Sequence, residues 1–221
     1  MSILMPAINK AKSQARAVMC MQNLHQWAIL WKVYTDDNDG FFMDSPYWVY
    51  DFEPYYKDPE LRLCPAAVKT MDEGGLGAFQ AWGGRDSEFP LPDYWGSYGL
   101  NLWVTTNSGG GRGGQQLWRT PNIKAAGYVP MFLDCARFEN ICPYRTDEPP
   151  QFDGDFLQSS GNLDEMKRAC LNRHNMAVNI AFLDFAVRRV RLKELWDLWW
   201  HRQWQQDMLN IPPPDWPDWM Q

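Results

Sequence analysis

Histidine is scarce in this 221-residue chain, with only His25, His174 and His201. A nucleophile needs a base and an orienting acid beside it, so few catalytic triads are possible. No serine completes a nucleophile elbow either, since Ser97 lies in Gly96-Ser97-Tyr98-Gly99. Positive charge is also short. Twenty-one Lys and Arg face 27 Asp and Glu, a net charge of -6. That balance argues against a nucleic-acid partner, because phosphate binding needs a basic field. There is no run of 18 apolar residues, so no stretch of the sequence reads as a membrane-spanning helix. The five cysteines, at 20, 64, 135, 142 and 170, contain no C-x-x-C pair. They fit neither a dense disulfide scaffold nor a clean zinc motif, and their odd number leaves at least one thiol free or paired outside the chain. Their pairing is open.

Aromatic residues are plentiful. Thirteen Trp stand beside 16 Pro, and hydrophobic residues make up 45% against 22% charged, enough for a sizeable core. Such tryptophans could form an exposed sugar-stacking platform or fill a core. Most lie beside Leu or Val at core-like spacing, which favours the core.

Residues 6 to about 35 read as one helix. Ala17, Cys20, Leu24, Trp27, Trp31 and Tyr34 recur at spacings of three and four and share a face. Pro6 suits its first turn, and Asp36-Asp37-Asn38-Asp39-Gly40 ends it, Gly40 supplying a left-handed exit. Residues 41–97 read as loops with short helical turns, with Leu61 to Pro65 as a short strand and turn. Strands are expected over 97–104, 128–134, 176–183 and 186–192, and a helix over 193–205. Residues 109–114 read as a flexible glycine loop. Residues 136–165 read as a long polar surface insertion. The Pro-rich tail carries Trp216 and Trp219, which need a surface to lie on.

Four constellations invite chemistry. Asp36, Asp37 and Asp39 are hard oxygen donors and the only calcium candidates. They fit the EF-hand template poorly, because aligning Gly40 with its glycine puts Pro46 where a bidentate Glu belongs. A solvated helix exit is the reading favoured, with no metal or other cofactor expected. His174 reads as structural, holding a strand end. The glycine loop lacks the G-K-[ST] ending of a phosphate loop. The acidic pairs Asp51/Glu53 and Asp147/Glu148 could serve glycoside hydrolysis only if held across a cleft, and acidic surface loops are commoner.

Two ends and several islands carry a resemblance. At the start stand Leu4-Met5-Pro6-Ala7, Lys10-Ala11-Lys12, Cys20, Asn23-Leu24 and Tyr34-Thr35-Asp36-Asp37-Asn38-Asp39-Gly40. Within lie Leu63-Cys64-Pro65, Ser97-Tyr98-Gly99-Leu100-Asn101 and Val129-Pro130-Met131-Phe132-Leu133-Asp134. At the end come Arg173-His174-Asn175, Asn179, Phe182-Leu183-Asp184, Leu192 to Trp196 and Trp200-His201. In this order they resemble pseudopilin-like proteins with a prepilin-type N-terminus, similar to type IV pilins and to the major pseudopilins of type II secretion. Where that family carries Asp-Gly-His, this chain has Asp184-Phe185-Ala186.

The resemblance implies an α+β, pilin-like fold. Residues 1–40 would be a helical spine and 41–221 a head, with the helix packed on an antiparallel sheet, long loop insertions and a C-terminal helix. It implies a structural filament subunit, not an enzyme, whose partners are other pilin or pseudopilin subunits. It would stand at the periplasmic or extracellular face. The apolar start, Met1 to Ile8, would continue a membrane anchor upstream of Met1, the chain's only tie to a membrane. The alternative function is a secreted carbohydrate- or surface-binding module using exposed tryptophans.

Overall fold

The computed structural model describes residues 4–45, 47–84, 94–107, 114–137, 141–158 and 164–221. Helix α1 runs Leu4–Asp37, 34 residues, or about 51 Å at 1.5 Å per residue. Its exit uses two left-handed residues, Asp39 (φ 53°) and Gly40 (φ 80°). The Gly40 N–H donates back to the Thr35 carbonyl at 2.8 Å. One short helix, α2 (Trp48–Asp51), follows. A small sheet then forms from β1 (Lys69–Thr70), β2 (Gln80–Gly83) and β3 (Trp95–Gly96), parallel between β1 and β2 and antiparallel between β2 and β3.

The main sheet is antiparallel throughout, in the order β4-β5-β6-β7, with β4 at Tyr98–Leu100, β5 at Pro130–Asp134, β6 at Ala177–Phe182 and β7 at Val187–Arg191. The architecture is therefore α+β, with a long N-terminal helix, an antiparallel main sheet and a small mixed sheet.

Every residue of β5 and β6 is buried, because the sheet is covered on both faces. Successive side chains of a strand point to opposite faces. Along β6 and just beyond, Ala181 and Leu183 join the core under α1, while Val178, Ile180 and Phe182 join a second core built around Trp103, Trp196, Trp200 and Trp204. The helix-facing residues Ala177, Asn179 and Ala181 are small, which lets α1 lie close. The amide of Asn179 donates to the Ala17 carbonyl at 3.1 Å.

The helix core is aromatic. Trp27 sits edge-on to Trp48 (5.1 Å), Phe52 (6.0 Å) and Tyr56 (5.0 Å) and tilts against Phe132 (5.2 Å). Its indole N–H donates to the Leu61 carbonyl at 2.8 Å.

The hairpin between β6 and β7 departs from the Asp-Gly turn. The loop is Leu183-Asp184-Phe185, closed by Phe182 N–H to the Ala186 carbonyl (2.9 Å) and Phe185 N–H to the Phe182 carbonyl (2.9 Å). Such a three-residue loop ends on a left-handed residue, here Phe185 at φ 63°. A bulky side chain is unfavourable there. Its ring is partly buried against the helix core, with the Lys32 ammonium 5.9 Å from its centroid.

Three expectations need correction. The helix expected over 193–205 is a 3₁₀ segment, Leu192–Asp197, followed after a break by α3 at Trp204–Asn210. Side chains take the carbonyls an α-ladder would use. Trp200 Nε1 donates to Leu195 O, Arg145 Nη1 and Trp204 Nε1 to Trp196 O, and Asn101 Nδ2 and Trp118 Nε1 to Trp200 O. The expected surface insertion at 136–165 is largely core, burying Ile141, Cys142, Arg145, Asp147 and Phe156. Leu61 lies in a 3₁₀ turn at Pro59–Arg62, not a strand. Of the glycine loop at 109–114 only Gly114 falls within the described residues.

Two outcomes are expected. Trp27→Ala should cost about 3–5 kcal/mol in urea unfolding, the range for deleting a buried Trp, whereas removing residues 1–9 should leave the midpoint unchanged. Burial holds the His201 imidazole down to about 4, against about 6.5 in an unfolded chain. The fold keeps this ring neutral, so its contribution is complete above about pH 6.5 and fades as pH falls through 4. His201→Phe should therefore flatten the acid-side loss of stability between those values, measured as the difference from the parent chain.

Candidate functional site

From Met5 onward Cys20 is the first buried residue along α1, every side chain from Met5 to Arg16 being exposed. It meets three other segments at the point where the helix reaches the head. Cys64 follows the 3₁₀ turn at Pro59–Arg62, and its N–H donates to Ser97 Oγ at 2.5 Å. Asp134 ends β5 on the helix-facing side. His174 precedes β6, where its N–H donates to the Ala177 carbonyl at 3.1 Å.

The backbone after His174 is strained. Asn175 (φ 56°) and Met176 (φ 59°) are both left-handed, at a cost of about 1–3 kcal/mol each. Side chains hold the bend in place. Asn172 Oδ1 accepts from the Met176 N–H at 2.7 Å, and Arg189 Nη2 donates to the carbonyls of His174 (2.5 Å) and Asn175 (2.9 Å). The bend turns the imidazole inward.

The donor atoms of Cys20, Cys64, Asp134 and His174 all lie within 4.8 Å of one another, and all four residues are buried. His174 Nε2 is 3.1 Å from Asp134 Oδ2 and 3.4 Å from Cys64 Sγ. Cys20 Sγ is 3.5 Å from both carboxylate oxygens. The Tyr98 hydroxyl is 3.4 Å from Cys20 Sγ, and the Asn179 N–H donates to Asp134 Oδ2 at 2.8 Å.

Arg173 closes the site from the side. Its guanidinium donates to the carbonyls of Ala78 (2.6 Å), Ser97 (2.5 Å), Gln80 (2.9 Å) and Cys135 (3.1 Å) and lies 3.4 Å from Asp134 Oδ1. His174 Nδ1 has no hydrogen-bond partner among the described residues.

These contacts move the protons. Burial alone would raise the Asp134 carboxyl, but the charges of His174 and Arg173 and the Asn179 N–H hold it at about 2. Burial would lower His174, yet Asp134 raises it to about 10. Burial pushes the Cys20 thiol well up, helped by its hydrogen bond to Cys64 and the charge of Asp134. Burial acts the same way on Cys64, but hydrogen bonds with Cys20 and His174 and the charge of Arg173 bring it below its ordinary value.

The calcium candidates lie elsewhere. Asp36 is exposed and paired with Lys32 at 2.8 Å, and Asp37 and Asp39 are exposed. Among the described residues, only the Cys20 group gathers three or more metal-ligating side chains. Asp51, Glu53 and Glu148 are exposed, while Asp147 is buried and accepts from the N–H groups of Tyr144 (3.1 Å) and Met166 (3.0 Å). All five cysteines are buried and none forms a disulfide. None of the thirteen tryptophans is exposed. Trp216 lies edge-on to Trp196 at 5.2 Å and Trp219 donates to the Pro150 carbonyl at 2.8 Å, so the tail lies on the chain's own head.

In the sequence alone His174 reads as structural, and nothing there associates it with a cysteine. The partners are 110 residues apart for Cys64–His174 and 114 for Cys20–Asp134, beyond the reach of any spacing rule. The signal available was that Cys20, Cys64, Asp134 and His174 all fall inside the short islands that carried the resemblance.

Replacing Arg173 tests the side wall of the site. Arg173→Met should cost about 3–5 kcal/mol, the usual penalty for stranding one partner of a buried ion pair. Arg173→Lys keeps the charge without the planar fork and should fall between Met and the parent in chemical denaturation. Compared with known proteins, the chain matches no family model, no curated protein and no solved structure.

Proposed function

We propose that the chain is a structural subunit of a pseudopilus or type IV pilus-like filament at the extracytoplasmic face, and not an enzyme. The supporting observation is the half-clothed helix. From Cys20 onward, Leu24, Trp27, Ala28 and Trp31 are buried against the head, while every residue from 5 to 16 is exposed. An isolated helix gains little from its own hydrogen bonds, so a bare stretch this long implies contacts made elsewhere.

The helix also carries a second apolar stripe. At 3.6 residues per turn, Ile8, Val18, Ile29 and Val33 fall on the side roughly opposite Cys20, Leu24, Trp27 and Trp31. All four are exposed. An amphipathic helix with one buried face would carry polar residues there. A second apolar face on a spine already docked to its head suits packing against the spines of neighbouring copies. The rival reading, recognition of sugars by bare tryptophans, finds no exposed Trp to use.

A photo-crosslinking amino acid at Ile8 or Val18, in the chain produced by its own host, should give a ladder of self-crosslinked species. The same residue at Arg202, an exposed position of the head outside α1, should not. Absence of self-crosslinks from every stripe position, with the protein present at normal level, would refute the reading.

A further inference from the structure

We propose that Cys20, Cys64, Asp134 and His174 bind one Zn²⁺ in a closed tetrahedral centre that clamps α1 to the head. The inference is independent of what the chain assembles with. Zinc bonds of about 2.0–2.3 Å to N, O and S imply tetrahedral edges of about 3.3–3.8 Å. Of the six edges, Cys64–His174 (3.4 Å) and Cys20–Asp134 (3.5 Å) fall in that range, His174–Asp134 is slightly shorter at 3.1 Å, and every pair lies inside 4.8 Å. The donors converge on one point from four separate parts of the chain.

The donor set selects the metal. Two thiolates, an imidazole and one carboxylate suit a borderline-soft tetrahedral ion, while hard calcium or magnesium calls for a shell of oxygens. Charge closes as well. Two thiolates and a carboxylate give -3, and Zn²⁺ with Arg173 gives +3, so the buried assembly is neutral. Binding involves no redox step. The thiols, and His174 where it carries an extra proton, release protons to solvent as the metal–ligand bonds form.

The neighbouring residues fit the role. Arg173 and the Asn179 N–H hold the Asp134 carboxylate, and the Tyr98 hydroxyl sits at the Cys20 sulfur. Four protein ligands leave no coordination position for water, which makes the centre structural rather than catalytic. Because all four side chains are buried, the ion would enter during folding and leave only on unfolding.

The test uses the whole chain, purified without chelators under reducing conditions and also refolded with zinc. Elemental analysis should find about one zinc per chain, retained against EDTA in the native state and released in guanidinium. Refolding with Co²⁺ should give the intense visible bands of a tetrahedral ion and a thiolate-to-metal charge-transfer band. Cys64→Ser and Asp134→Asn should weaken zinc binding by at least about tenfold, since loss of an outer partner alone costs about that much. Cys170→Ala, which removes a buried thiol outside the cluster, should not. The cobalt spectrum of the parent chain decides the matter if those variants fail to fold. The proposal is overturned if the refolded chain takes up neither metal, if cobalt gives only weak octahedral bands, or if Cys170→Ala abolishes binding while folded. Peptide mapping that finds a Cys20–Cys64 disulfide, with no metal uptake after reduction, would overturn it too.

Discussion

A carboxylate buried away from water holds this molecule together and constrains it. Asp134 is fully enclosed at the end of a central strand, where an unpaired charge would cost several kcal/mol. The chain meets that demand with Arg173, His174 and the Asn179 N–H. Each has obligations of its own. Arg173 must also satisfy carbonyls from Ala78, Gln80, Ser97 and Cys135, which fixes the small sheet against the large one. His174 must turn inward, which forces two left-handed residues before β6. One buried charge thus sets the register of segments far apart in sequence.

The second constraint is the two-faced sheet. Because α1 covers one side and the tryptophan-rich C-terminal segment the other, strands β5 and β6 have no wet face and no polar alternation. Size sorts the residues of β6 instead. In β6 the small side chains face the helix and the larger ones the second core, while β5 turns Phe132 into the aromatic packing under α1. The indoles around that core bring N–H donors with them, and those donors displace the backbone ladder between Leu195 and Trp200.

These facts explain what the sequence could show. The helix was legible because its apolar spacing is regular over many turns, and its exit because Gly40 marks it. Strands β5 and β6 were legible as apolar or β-branched runs between turn residues; β7 was legible as a strand but not in register, because Val187 and Val190 break strict alternation. The small sheet was not, since its strands are two to four residues long, too short to show a period. The C-terminal helix was misread because Leu195, Leu198, Trp199 and Arg202 keep helical spacing while side chains hold the carbonyls that a helix needs. The insertion at 136–165 looks polar in composition, yet Arg145 and Asp147 are buried with partners, which composition cannot reveal. The cluster at Cys20 was invisible for a related reason: its members are brought together only by tertiary packing.

The position of Cys20 has a mechanical consequence. It stands beside the fulcrum of a lever whose outer arm, residues 5–16, extends roughly 18 Å at 1.5 Å per residue. Any sideways load on that arm arrives at the head first through Ala17, whose carbonyl Asn179 holds, and through Cys20 and its neighbours, before it reaches the aromatic packing around Trp27. The stiffness of this one junction therefore governs how much the head can tilt on its stem.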